Sequence, residues 1–92
     1  MSSPNVRSKV SAVIVSYFTG PLLARAIASL KAQDDVAEII VVDNGNWDGA
    51  VEAAAAATPL GAPVTVITGH GNVGFATACN LGAKRATSPF LL

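Results

Sequence analysis

Cysteine is almost missing from this chain. One, Cys79, stands among 92 residues, so no intramolecular disulfide can form, which fits a reducing compartment. Charge is also scarce. Only 13% of residues are charged, and six basic side chains balance six acidic ones. Without a basic block, the electrostatic footprint of a nucleic-acid binder is absent. So low a charge also leaves apolar surface for a partner or for further chain. No apolar run approaches the roughly 18 residues needed to span a bilayer. The opening Met1-Ser2-Ser3-Pro4-Asn5-Val6-Arg7-Ser8 has no apolar core, so it does not read as a secretory signal. These absences predict a cytoplasmic protein with a short flexible N-terminus over residues 1–8.

What is present is apolar. About half the chain (51%) is hydrophobic, enough for the core of one small domain. Four short runs recur: 10–16, 39–42, 64–67 and 90–92. They are rich in β-branched residues and mostly do not alternate, which predicts strands covered on both faces of a parallel sheet.

The intervening segments read as helices. Thr19 or Gly20 can cap the first, and Pro21 suits its first position. Leu23, Ile27 and Leu30 then share one face. Asp48 suits the N-cap of an alanine-rich helix over 50–57, which Pro59 and Gly61 end. Asn72 or Gly74 opens the third, with an inner stripe of Phe75, Ala78, Cys79, Gly82 and Ala86. This alternation predicts an α/β fold: a three-layer α/β/α Rossmann-like half-domain with four parallel strands in order 3-2-1-4. Ligands of such sheets bind outside the carboxyl ends of the strands, at the switch point.

Candidate site residues therefore follow the strands. Asp43 can accept hydrogen bonds from a ribose or a base, yet Asp-Asn-Gly is also good turn chemistry. Tyr17 can stack on a base or cover the first helix. Trp47 can cover its own turn or a ligand. Asn80 can reach a loop or point to solvent. His70, the sole histidine, has no metal-ligand spacing around it and reads as an exposed loop residue. Cys79 reads as a buried thiol. Lys84 and Arg85 complement the helix dipole. Gly69-His70-Gly71-Asn72-Val73-Gly74 matches the dinucleotide fingerprint G-x-G-x-x-G to the letter. It lies on the third strand-helix turn rather than the first, and the acid expected about 20 residues later would fall past Leu92.

Three stretches together resemble the N-terminal, nucleotide-binding part of a family 2 glycosyltransferase with the GT-A fold. They are residues 10–17, then 38–49 with Asp43-Asn44-Gly45 and Asp48-Gly49, then Gly71-Asn72-Val73-Gly74-Phe75-Ala76 through Gly82. The G-N-x-G-F-A variant resembles the rhamnosyltransferase-like branch. The resemblance covers nearly all of residues 9–92, taken as a partial GT-A nucleotide-binding domain. It implies a nucleotide-sugar donor of UDP or dTDP type. It implies that Ser16 and Tyr17 line the base pocket and that Asp43 holds the base or ribose. Asp48 would cap and support that loop, Gly71, Asn72 and Gly74 would flank the nucleoside, and Asn80 would brace it.

Two departures accompany the resemblance. The family's serine in D-N-G-S is Asn46 here. The D-x-D motif that holds the catalytic divalent metal, manganese or magnesium, follows the fourth strand in the family, and the sequence stops before it. The acceptor half with its general base is absent too. The chain is therefore expected to be truncated, to hold no catalytic residue or metal ligand, and to be inactive alone. Two other readings stay open. One is an NAD(P)-binding module built on Gly69, Gly71 and Gly74. The other is a non-enzymatic assembly domain that forms a homo-oligomer through an exposed sheet edge or helix face.

Overall fold

The computed structural model describes residues 10–88 and 90–91. The expected flexible stretch, residues 1–8, lies outside the described residues, as does Leu92. Seven elements follow in order: β1 (Val10–Tyr17), α1 (Pro21–Lys31), β2 (Val36–Gly45), α2 (Ala50–Ala56), β3 (Val64–Ile67), α3 (Phe75–Arg85) and β4 (Phe90–Leu91). The sheet is parallel throughout, in order β3-β2-β1-β4. Its body is β1 to β3; β4 contributes two residues, paired with Val10 and Ser11. The class is α/β, compatible with a Rossmann-like half-domain.

The strands are fixed by burial. Ile39, Ile40, Val41 and Val42 of the central β2 are fully buried, as a strand covered on both faces must be. Alternation sends successive side chains to opposite layers. Ala12, Ile39 and Val41 pack with Leu23 and Ile27 of α1 and Val51 and Ala54 of α2. Val13 and Val42 face the other way, against α3. That approach is close: a Cβ on Gly82 would lie 2.3 Å from Val13 Cγ1 and 3.2 Å from Val42 Cγ2. Only glycine lets the helix settle there.

The α3 stripe is narrower than expected. Ala78 and Gly82 are buried and Cys79 is half-buried, but Phe75 is 74% exposed. Helical side chains lean toward the N-terminus, so the ring of the first residue projects past the end of the sheet.

The amino end of the sheet is fastened by one carboxylate. Glu38 Oε2 accepts from Ser11 Oγ at 2.5 Å, Thr87 N at 2.6 Å and Thr87 Oγ1 at 2.7 Å. Ser88 N donates to the same Ser11 hydroxyl at 3.2 Å. Two strands and the α3–β4 connection therefore meet at one point. The bond from Ser11, the bonds from Thr87 and that from Ser88 N hold the Glu38 carboxyl below its ordinary value, against a smaller opposing effect of burial.

Candidate functional site

The carboxyl ends of β1, β2 and β3 form the rim. Register places Ser16 beside Asp43 and Tyr17 beside Gly45. Asp43 makes an Asx-type turn: its Oδ1 accepts from Gly45 N at 3.0 Å and from Asn46 Nδ2 at 2.7 Å. The turn and ligand readings of Asp43 are compatible, because both bonds fall on one oxygen and Oδ2 is left to accept from elsewhere.

Asn46 is the knot of this end. Its Nδ2 also donates to the Ser16 carbonyl at 3.0 Å, and its Oδ1 accepts from Ser16 Oγ at 3.2 Å. A hydroxyl has one hydrogen, so Thr19 Oγ1 donates the 2.7 Å bond that it shares with Ser16 Oγ. Ser16 is fully buried. Its hydroxyl thus holds the rim together and is spent on protein partners. The amide of Asn46 bridges β1 and β2 with both of its ends, which a serine side chain cannot do.

Tyr17 covers the end of β2, not α1. A Cβ on Gly45 (φ 136°) would touch the Tyr17 ring at 3.1 Å, so the ring lies on that glycine. Phe18 meets Tyr17 on one side and Trp47 on the other, each at 4.8 Å between ring centres and edge to face. All three rings are about half exposed: Tyr17 55%, Phe18 46% and Trp47 61%. Phe18 has φ 48°, the left-handed region, which costs a residue with a Cβ about 1–2 kcal/mol. Its N–H donates to the Gly45 carbonyl at 2.9 Å, which carries the β1–β2 pairing one residue further.

The glycine loop comes to the same rim through Asn44. That side chain is buried; Nδ2 donates to the Gly74 carbonyl at 3.2 Å and reaches Asn72 Oδ1 at 3.4 Å. Asn72 Oδ1 also accepts from Gly74 N at 3.0 Å. His70 Nε2 lies 3.2 Å from Asn44 Oδ1. Tyr17, Asp43 and, through Asn44, the Asn72 turn all lie at the carboxyl end of the sheet, with Asp43 and Asn44 on opposite faces of β2.

Three expectations are corrected. Asp48 is exposed and does not cap α2; Gly49 does, at φ 75°, and the Trp47 carbonyl takes the Ala50 N–H at 2.9 Å. The turn supplies its own acceptor, so the carboxylate stays in solvent. The Asn80 side chain is exposed and makes no hydrogen bond among the described residues. His70 is half-buried and bonded, not a bare loop histidine. Asn44 and Asn46 belong to the motif but are not among the candidate site residues read from sequence. Strand alternation was the available signal: if Asp43 and Gly45 turn one way, Asn44 turns the other, toward α3.

A separate cleft of about 390 Å³ is lined by Lys31, Glu52, Ala55, Pro59, Ala62 and Val64, among others. It contains none of the rim residues. Among the described residues no three His, Cys, Asp or Glu side chains gather to hold a metal ion. Likewise, none of the helices is long and apolar enough to cross a membrane.

An α/β sheet with a polar, glycine-lined rim at its carboxyl ends defines a candidate nucleotide-binding fold. The chain matches the protein family described as Glycosyl transferase family 2 over residues 11–92, and it belongs to that family. No curated protein and no solved structure matches it.

Proposed function

We propose that this chain takes the nucleoside part of a UDP- or dTDP-sugar at the carboxyl rim, as the donor-binding part of a GT-A glycosyltransferase of the rhamnosyltransferase-like branch. The whole enzyme would transfer the sugar to an acceptor. The observation that supports this reading is that Tyr17, Asp43 and the Asn72 turn all lie at the carboxyl end of the parallel sheet. Tyr17 offers a ring to stack on a base, where such contacts are worth about 1–3 kcal/mol. Asp43 Oδ2 accepts from a base N–H or a ribose hydroxyl. Gly71 and Gly74, both left-handed, let the backbone follow the nucleoside.

The described residues do not fit a resident divalent cation, since no three His, Cys, Asp or Glu side chains gather among them. On this reading any cation that the donor requires would be held by residues other than these and would stabilise the charge of the leaving nucleotide. Ser16 supports the pocket from within. Asp48 and Asn80, both exposed, join it only by touching the ligand directly.

Calorimetric titration with UDP, dTDP, GDP and NAD tests the proposal. UDP or dTDP is expected to bind, and Asp43→Ala to weaken binding about tenfold, the size of one hydrogen bond to a charged group. Binding of NAD alone, lost in Gly71→Val, would replace this reading with a dinucleotide site. Self-association through the outer edge of β4 or a helix face belongs to the same proposal, because among the described residues no strand pairs with that edge. A monomer by sedimentation at high concentration would remove that part.

A further inference from the structure

Gly69, Gly71 and Gly74 have φ of 91°, 68° and 83°, and a Cβ at any of them would meet nothing within 4 Å. The loop is not wedged in place by packing at these points. The Asn44 side chain ties it to the sheet, and that side chain is only 3% exposed.

The direction of each bond in this tie can be assigned. The Gly74 carbonyl can only accept, so the Asn44 atom facing it is the amide nitrogen. That leaves Asn44 Oδ1 toward His70 Nε2. Oδ1 also only accepts, so His70 Nε2 must carry a proton. The neutral ring then has its lone pair on Nδ1, which is the nitrogen free to accept.

We propose that Asn44 and His70 are the positioning pair of the rim. Asn44 fixes the loop 69–74 to the end of β2, and His70 fixes the orientation of the Asn44 amide. Reversing that amide would set its oxygen against the Gly74 carbonyl and Asn72 Oδ1, two acceptors, and the loop would lose its tie. His70 thus acts on the loop by holding Asn44, which holds Asn72 and Gly74. The ligand half of this inference rests on the proposed nucleotide site; the loop half stands without it.

The experiment combines three readouts on the full chain. Nitrogen-15 NMR of the neutral imidazole should show Nε2 protonated. In His70→Ala, the amides of Gly74 and its loop neighbours should exchange with solvent about fivefold faster, the loss of one ordinary hydrogen bond. The amides of Val41 and Val42 should keep their wild-type rates. His70→Gln, which restores a donor, should recover most of the protection. UDP affinity should fall and recover in parallel. A neutral His70 protonated on Nδ1, or loop exchange unmoved in His70→Ala and in Asn44→Ala alike, overturns the positioning pair. If wild-type protein binds no nucleotide while loop exchange responds as stated, the donor site fails and the loop tie survives.

Discussion

The two ends of the sheet are built from different chemistry. At the amino end a single charged group, Glu38, accepts three bonds of 2.5 to 2.7 Å. At the carboxyl end three neutral amides, Asn44, Asn46 and Asn72, share bonds mostly of 3.0 to 3.4 Å, and the carboxylate Asp43 takes 2.7 Å from Asn46 and 3.0 Å from Gly45 N. Charge-assisted bonds are shorter and about twice as strong as neutral ones. One end is clamped. The other is held mainly by neutral amides. On the proposed reading, this second kind of holding is what faces the nucleoside.

The largest expected effect comes from breaking what both ends share. Gly82 lets α3 lie on Val13 and Val42. Gly82→Val forces branched methyls into a stiff valine, and overpacking of this sort costs about 1–3 kcal/mol. We expect about 3 kcal/mol lost in urea unfolding, with both ends loosened together by amide exchange. Loosening confined to one end would show that α3 does not unite them.

Removing the clamp comes next. Glu38→Ala should cost about 2 kcal/mol once its three bonds are discounted for partial exposure to water. The loss should appear first at Thr87, Ser88 and β4. The same carboxyl gives a dependence on pH. Its folded value is depressed, so its stabilisation is complete above the unfolded value and is lost as pH falls through the folded one. Wild-type stability should therefore drop on acidification below the ordinary glutamate value of 4.5. Glu38→Gln should lack that part of the slope. An identical acid profile in the two proteins would remove Glu38 as its source.

How far the sequence could be read follows the same division. The strands announced themselves, because β-branched runs buried on both faces leave few alternatives; β3 falls at 64–67 as expected. β2 runs past its apolar stretch to include Asp43, Asn44 and Gly45, since pairing with β1 continues after the hydrophobic residues stop. The place of the rim followed from topology. Its wiring did not. Asp48 looked like a cap by residue type, but a backbone acceptor and left-handed Gly49 took that place. Asn46 looked like a departure from a serine and turned out to join two strands. Such roles depend on which side chains meet across 26 to 30 residues of chain, and propensity and spacing carry no record of that.

Asn46 sharpens the comparison at the carboxyl end. Asn46→Ser keeps a polar group but loses the bridge between the Ser16 carbonyl and Asp43. A loss of about 1 kcal/mol is expected, the net value of an ordinary hydrogen bond. Nucleotide affinity should fall by more than stability does, because Asp43 then keeps only its bond from Gly45 N. Equal losses would mean that Asn46 serves folding alone.

The smallest effect tests whether the carboxyl end gives up stability for its shape. Phe18 is the sole described non-glycine residue with positive φ, and relieving that strain gains about 1–2 kcal/mol. Phe18→Gly also removes two edge-to-face contacts, each worth about 0.5–1.5 kcal/mol, and adds backbone freedom to the unfolded chain. The contributions nearly cancel, so thermal unfolding should move little. Ligand binding offers no such cancellation. If the three rings form one wall of the pocket, UDP affinity should fall while the unfolding midpoint stays, with the fluorescence of the single tryptophan, Trp47, reporting both. A midpoint that falls sharply with affinity intact would make Phe18 a packing residue, and the rim would then resemble the amino end in purpose as well as in position on the same strands.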